Sequence, residues 1–158
     1  MLEFVLIGFL VLVIFVVILA VTAEKKGKVD SSAKDAVLSV TGENRSDAKI
    51  SSGSFEYDRD ALKKLAGTID PAMQYVGPRV HTIMADAKID YRTLLFYTAG
   101  SKKVQKMLQK DEAGKDAWIV AIASKDKDLT WSDGGPFMLV NRTDATQNVA
   151  RLLKIEAK

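Results

Sequence analysis

One histidine, His81, and no cysteine stand among the 158 residues, which narrows the chemistry before any fold is considered. Without thiols there is no disulfide framework, thiolate metal site or cysteine nucleophile. One imidazole cannot form a two-histidine zinc motif within one copy. His81 falls on the polar side of an apolar stripe next to Arg79, with no serine-centred nucleophile motif beside it. It therefore reads as a surface or structural histidine rather than a general base. Glu56, Asp58 and Asp60 cluster where a helical pattern begins, and negative charge there complements the helix dipole. Asp111, Glu112, Asp126, Asp128 and Asp133 could line a cation site, but Asp126-Lys127-Asp128 lacks the spacing and closing glutamate of a calcium loop. The residues thus predict no metal, no cofactor and no catalytic group.

Phosphate chemistry is equally unsupported. The chain carries no Walker loop, dinucleotide glycine fingerprint or nucleophile elbow. Lys102, Lys103, Lys106, Lys110, Lys115, Lys125 and Lys127 alternate with acids and are not interleaved with aromatics. They read as a solvated face, and no nucleic-acid partner is expected. Two glycan acceptor triplets occur, Asn44-Arg45-Ser46 and Asn141-Arg142-Thr143, usable only on an exported domain.

The elements that must position these residues divide the chain into 1–23, a hydrophobic membrane helix, 24–35, a linker, and 36–158, a globular α+β domain. Between Phe4 and Ala23 only Gly8 and Thr22 are not apolar, and all 23 Lys and Arg lie further on. At ~1.5 Å rise per residue the run spans roughly 30 Å, the thickness of a bilayer core. A helix satisfies its own backbone in lipid, so Phe4, Leu10, Phe15 and Leu19 are expected to anchor the chain as a single pass. A cleaved signal peptide would need a basic start and a shorter apolar stretch. Lys25, Lys26 and Lys28 follow the span, and by the positive-inside rule they place the domain in the cytoplasm. They also offer attraction to anionic headgroups.

Beyond the charged, unpatterned linker, Ala36–Val40 reads as a first strand closing at Thr41-Gly42. Residues 43–54 are polar and read as a loop or a short strand around Lys49–Ser51. Tyr57–Leu65 is predicted helical, with Asp58 as its cap and Leu62 and Leu65 on one face. Val80–Lys88 is a second helix, with Val80, Ile83, Met84 and Ala87 on one stripe. Thr93–Thr98 reads as a buried strand, while Val104–Leu108 suits one or two helical turns. Ala117–Ala123 is the strongest central-strand candidate, and Phe137–Val140 and Val149–Glu156 are further apolar runs. Strands and helices mix without a βαβ rhythm, hence an α+β domain with a mixed sheet. Gly134, Gly135 and Pro136 form a structural turn, glycine supplying positive φ and proline fixing the exit.

Two resemblances follow from particular residues. Leu2-Glu3-Phe4-Val5-Leu6-Ile7 and the apolar run behind it resemble the mature N-terminus of type IV pilins, whose helices pack in a filament core. Glu3 stands earlier than that family's usual fifth position. Over about 120 residues, the order of motifs resembles the sulfite-oxidase-type molybdopterin-binding domain. The carriers are Val37–Gly42, Phe55–Leu65, Gly77–Ile89, Thr93–Gly100, Ala117–Ala123, Asp128–Val140 with its Gly-Gly-Pro, and Val149–Glu156. The resemblance implies that fold and an extracytoplasmic domain, against the vote of the lysines. Catalytic members hold molybdenum through a cysteine, absent here, and Met138 stands where the family has arginine. A degenerate, cofactor-free copy is therefore implied.

Together these readings predict a membrane-anchored, non-catalytic binding or accessory subunit that docks a partner protein at the bilayer, in a membrane assembly or as a homo-oligomer. Tyr75, Trp131 and Phe137, around the proline and Gly-Gly-Pro turns, are the candidate contacts. A pilin-like filament subunit and a pterin-binding, oxidoreductase-related domain are the alternatives.

Overall fold

From Leu38 the chain alternates apolar and small polar residues, the period of a half-buried strand. In the computed structural model, which describes residues 35–46, 49–67, 73–125 and 127–158, that alternation is β1 (Leu38–Ser46). Leu38 and Val40 are buried, and Ser39 and Thr41, which alternate with them, are partly exposed. The anchor residues Phe4, Leu10, Phe15 and Leu19 and the linker up to residue 34 lie outside the described residues. Among the described residues no helix is long and apolar enough to cross a membrane. Residues 35–158 belong to one compact unit, and its architecture is mixed α+β.

β1 forms an antiparallel hairpin with β2 (Lys49–Tyr57) in nine registered pairs, from Leu38 opposite Tyr57 to Ser46 opposite Lys49. The sequence predicts mostly loop here. Past Gly42 and Gly53 the hairpin has no apolar alternation, so hydrophobic periodicity carries no signal, and backbone pairing builds the ribbon instead. The final strand, β10 (Leu152–Ala157), inserts beside β1 and runs parallel to it. On its other side it pairs antiparallel with β4 (Thr93–Thr98), which pairs with the edge strand β5 (Val104–Gln109).

β5 corrects a helical reading. Val104, Met107 and Leu108 mimic a helical stripe because Lys106 occupies a core-side position of the strand. Its ammonium lies 5.0 Å from the ring centre of Trp118 and donates to Gln147 Oε1 at 2.8 Å. The long stem covers apolar surface and the head finds polar partners, which hides the period of two. Val104 and Met107 are left exposed.

A second layer of strands centres on β6 (Trp118–Ala121), which continues through Ile122 into β7 (Ala123–Ser124). β6 pairs with β9 (Met138–Asn141), and β7 pairs with β3 (Tyr75–Val76) and β8 (Lys127–Asp128), all antiparallel. Trp118, Val120 and Ile122 point into the main core with Leu38, Phe96 and Ile155. Ile119 and Ala121 point the opposite way, into a smaller cluster with Leu129, Met138 and Val140. Both faces are buried, which is why this segment reads as a continuous apolar run.

Among the described residues three short α-helices accompany the strands. α1 (Arg59–Ala66) starts at Asp58, whose Oδ1 accepts a hydrogen bond from Ala61 N at 2.7 Å, and buries Leu62. α2 (Val80–Asp86) buries the predicted stripe of Val80, Ile83 and Met84. It is tied to β2 by the Tyr57 hydroxyl, which donates to Asp86 Oδ2 at 2.8 Å. Burial and that carboxylate both disfavour the phenolate, holding the Tyr57 pKa well above its ordinary value. α3 (Lys110–Ala113) is a single turn.

Candidate binding groove

Gly77 and Pro78 bring β3 close to the central strand. A methyl group on Gly77 would run into the Val120 carbonyl, so only glycine allows this approach. The Pro78 carbonyl accepts from Val120 N at 2.9 Å, and Arg79 then bridges to Ile119 before α2 begins. On the other side of β6, Arg142 follows β9 and donates its backbone N–H to Ala117 O at 2.8 Å. The two exposed guanidinium groups converge on one residue. Arg79 Nε lies 3.2 Å from Asp116 Oδ1, and Arg142 Nη1 makes a long contact of 3.5 Å to the Asp116 carbonyl.

Between these arginines the surface opens into two hollows of about 470 and 440 Å³. The first is lined by Leu65, Met73, Gly77, Arg79, Thr82 and Ile119 among others, the second by Gln74, Val140, Asn141, Thr143 and Asn148 among others. Both share Met73, Tyr75 and Arg142, so they constitute one groove. Its walls combine apolar surface with guanidinium, hydroxyl and amide groups, the makeup of a site that holds a ligand by shape and hydrogen bonds.

The second hollow is floored by a turn that Asn141 organises. Its Oδ1 accepts from Thr143 N at 2.9 Å, Thr143 Oγ1 at 2.7 Å and Asp144 N at 3.1 Å. Asn148 Oδ1 in turn accepts from Asn141 N at 2.9 Å. Asn141, the acceptor of this triplet, is 8% exposed in the folded domain. The Asp144 carboxylate is held below its ordinary pKa by hydrogen bonds from Thr146 and Gln147. The side chain of Asn44 lies outside the described residues.

The predicted contact residues separate in the structure. Tyr75 is half-buried in the groove and packs against the cluster around Ile119. Trp131 is half-buried on a 3-10 turn, Trp131–Asp133, and does not line the groove. Phe137 is a correction: it is wholly buried in the main core and offers no exposed contact area. Both faces of β9 are buried, Met138 and Val140 entering the smaller cluster and Leu139 the main core, so Phe137, two positions before Leu139, falls on the main-core side.

Gly134 and Gly135 both have positive φ, 111° and 100°, and Pro136 is buried. Gly135 N donates to Thr130 O at 2.8 Å, and the Gly134 carbonyl accepts from Arg151 N. The turn joins the 3-10 segment to β9.

Sequence reasoning missed Arg79 and Arg142 as a pair, because they are 63 positions apart and only pairing to β6 brings them together. It also missed Arg59. This buried side chain donates from Nη2 to Leu129 O at 2.8 Å and pairs through Nη1 with Asp128 Oδ2 at 2.9 Å. Lys63 adds a second ion pair to Asp128 at 3.3 Å. Partial burial raises the Asp128 pKa, but the hydrogen bond and charge of Arg59, with Lys63 behind it, outweigh that and hold it below its ordinary value. The aspartate thus serves α1. Among the described residues no three His, Asp or Glu gather as metal ligands. No protein-family model matches this chain, and no curated protein matches it in sequence.

Proposed function

We propose that this protein is a non-catalytic binding subunit, held at a membrane by its N-terminal apolar run, which docks a partner protein through the groove at Tyr75. The single observation that carries the reading is the groove itself, where Tyr75 and Met73 lie between two exposed arginines. Aromatic and arginine side chains are the types that dominate binding energy at protein interfaces. Tethering adds to this, because a partner confined to the same bilayer meets the domain at high effective concentration. The motif order resembling a molybdopterin-binding domain supports a scaffold that keeps its layout while its cysteine and its Gly-Gly-Pro-Leu arginine are missing. By the habit of that class, the domain is assigned outside the cytoplasm.

A photo-crosslinking amino acid at Tyr75, in the full chain in native membranes, tests the docking claim. The expected result is a discrete cross-linked protein from Tyr75 and none from Gln105, an exposed position outside the groove. Equal cross-linking from both positions, or a pterin bound to the native material, overturns the reading. An impermeant thiol label directed at a cysteine added after Lys158 tests orientation. Labelling of intact cells is expected, and labelling only after lysis would place the domain in the cytoplasm.

A further inference from the structure

Among the described residues β3 is the last strand of its sheet. The carbonyls of Gln74, Val76 and Pro78 accept from Lys125, Ile122 and Val120 at 2.8, 2.8 and 2.9 Å, all on the central-strand side. Backbone groups alternate direction along a strand, so the peptide N–H and C=O of Tyr75 and Gly77 turn to the side that has no strand among the described residues. That side belongs to the groove, which Tyr75, Gly77 and Arg79 all line. Arg79 is engaged through Nε, which leaves its two terminal nitrogens without a hydrogen-bond partner among the described residues. Arg142 spends only a long contact on the Asp116 carbonyl. No carboxylate lines either hollow among the described residues, and the Asp116 side chain is 65% exposed at the rim.

Resting on the docking reading above, we infer that the groove takes an extended acidic segment of the partner, added as a strand along the free edge of β3. Main-chain hydrogen bonds to Tyr75 and Gly77 would set its direction, and alternate side chains would separate to opposite sides. One set places carboxylates on Arg79 and Arg142, whose planar forks match carboxylate geometry. The other set rests on Met73 and Leu65. A small phosphate would use the arginines alone and leave the strand edge and apolar walls idle, so the peptide is the occupant the geometry favours.

A random peptide library displayed against the full chain in detergent micelles tests this. The expected winners alternate Asp or Glu with apolar residues. They protect the Tyr75 and Gly77 amides from hydrogen exchange, and they lose roughly tenfold or more in affinity against Arg142→Glu. Replacing only the peptide acid that faces position 142 by lysine should restore binding to that variant. Arg79→Gln, also at an exposed site, should weaken the acidic peptide without changing the fold, as read by circular dichroism. Winners of neutral composition that still protect the groove overturn the acidic assignment and leave the docking reading intact. Displacement of the winner by millimolar inorganic phosphate overturns it in favour of a small-anion site. Enrichment of nothing overturns it as well, while the docking reading stands or falls separately by the Tyr75 and Gln105 cross-links.

Discussion

Phe137 and Asp128 show how strongly a residue's role depends on what surrounds it. Phe137 follows a Gly-Gly-Pro turn and looks like a tip residue, yet it is fully enclosed. Phe137→Ala is therefore expected to cost about 3–5 kcal/mol in a denaturant titration, through lost transfer energy and a cavity. A loss below about 1 kcal/mol would return the side chain to the surface. Asp128 is half exposed, so its ion pairs with Arg59 and Lys63 are screened by solvent, and Asp128→Asn should cost about 1 kcal/mol at neutral pH. Its pKa is lower in the folded than in the unfolded chain. Its contribution is thus complete above the ordinary value of 3.8 and fades as the pH falls through the lower, folded value. Unfolding curves of the two proteins should diverge at neutral pH and converge in acid. A gap that widens in acid would mean that Asp128 is not the titrating partner.

At the scale of elements, local signals succeeded where one face of a segment meets the core. Asp58 opens α1 as its cap, and Leu62 fills the buried side. Asp58→Ala should lower stability by about 1 kcal/mol without altering peptide binding at the groove, measured by thermal melting and by titration of the selected peptide. Loss of binding with the cap would show that α1 sets the groove wall through Leu65 and Ala66. The α2 stripe and the strand at Thr93–Thr98 were equally legible. β5 was not, because Lys106 takes a core-side position over Trp118 and interrupts the alternation. The β1–β2 hairpin was not, because its distal half carries mostly polar and charged residues with no apolar alternation.

For the molecule as a whole, the prediction concerns partition. The described domain carries its own core on both sides of β6, while the greasy stretch Phe4–Ala23 precedes it in the sequence. Deleting residues 1–23 should move the protein from the membrane pellet to the supernatant and leave the unfolding midpoint of the domain in place. Retention of the truncated chain in the membrane fraction would assign membrane attachment to the domain itself.

The sequence by itself determined the missing chemistry of thiols and paired imidazoles, the apolar run, the α+β class and most elements that bury one stripe or one face. Those properties are local: composition and a period of two or 3.6 residues express them without reference to distant chain. The tertiary structure alone decided that β10 enters the sheet between β1 and β4, that Phe137 points inward, and that Arg79 and Arg142 both reach Asp116 beside β6. Such facts arise from pairing between segments far apart in the chain, and no short stretch of residues carries the register that brings them together.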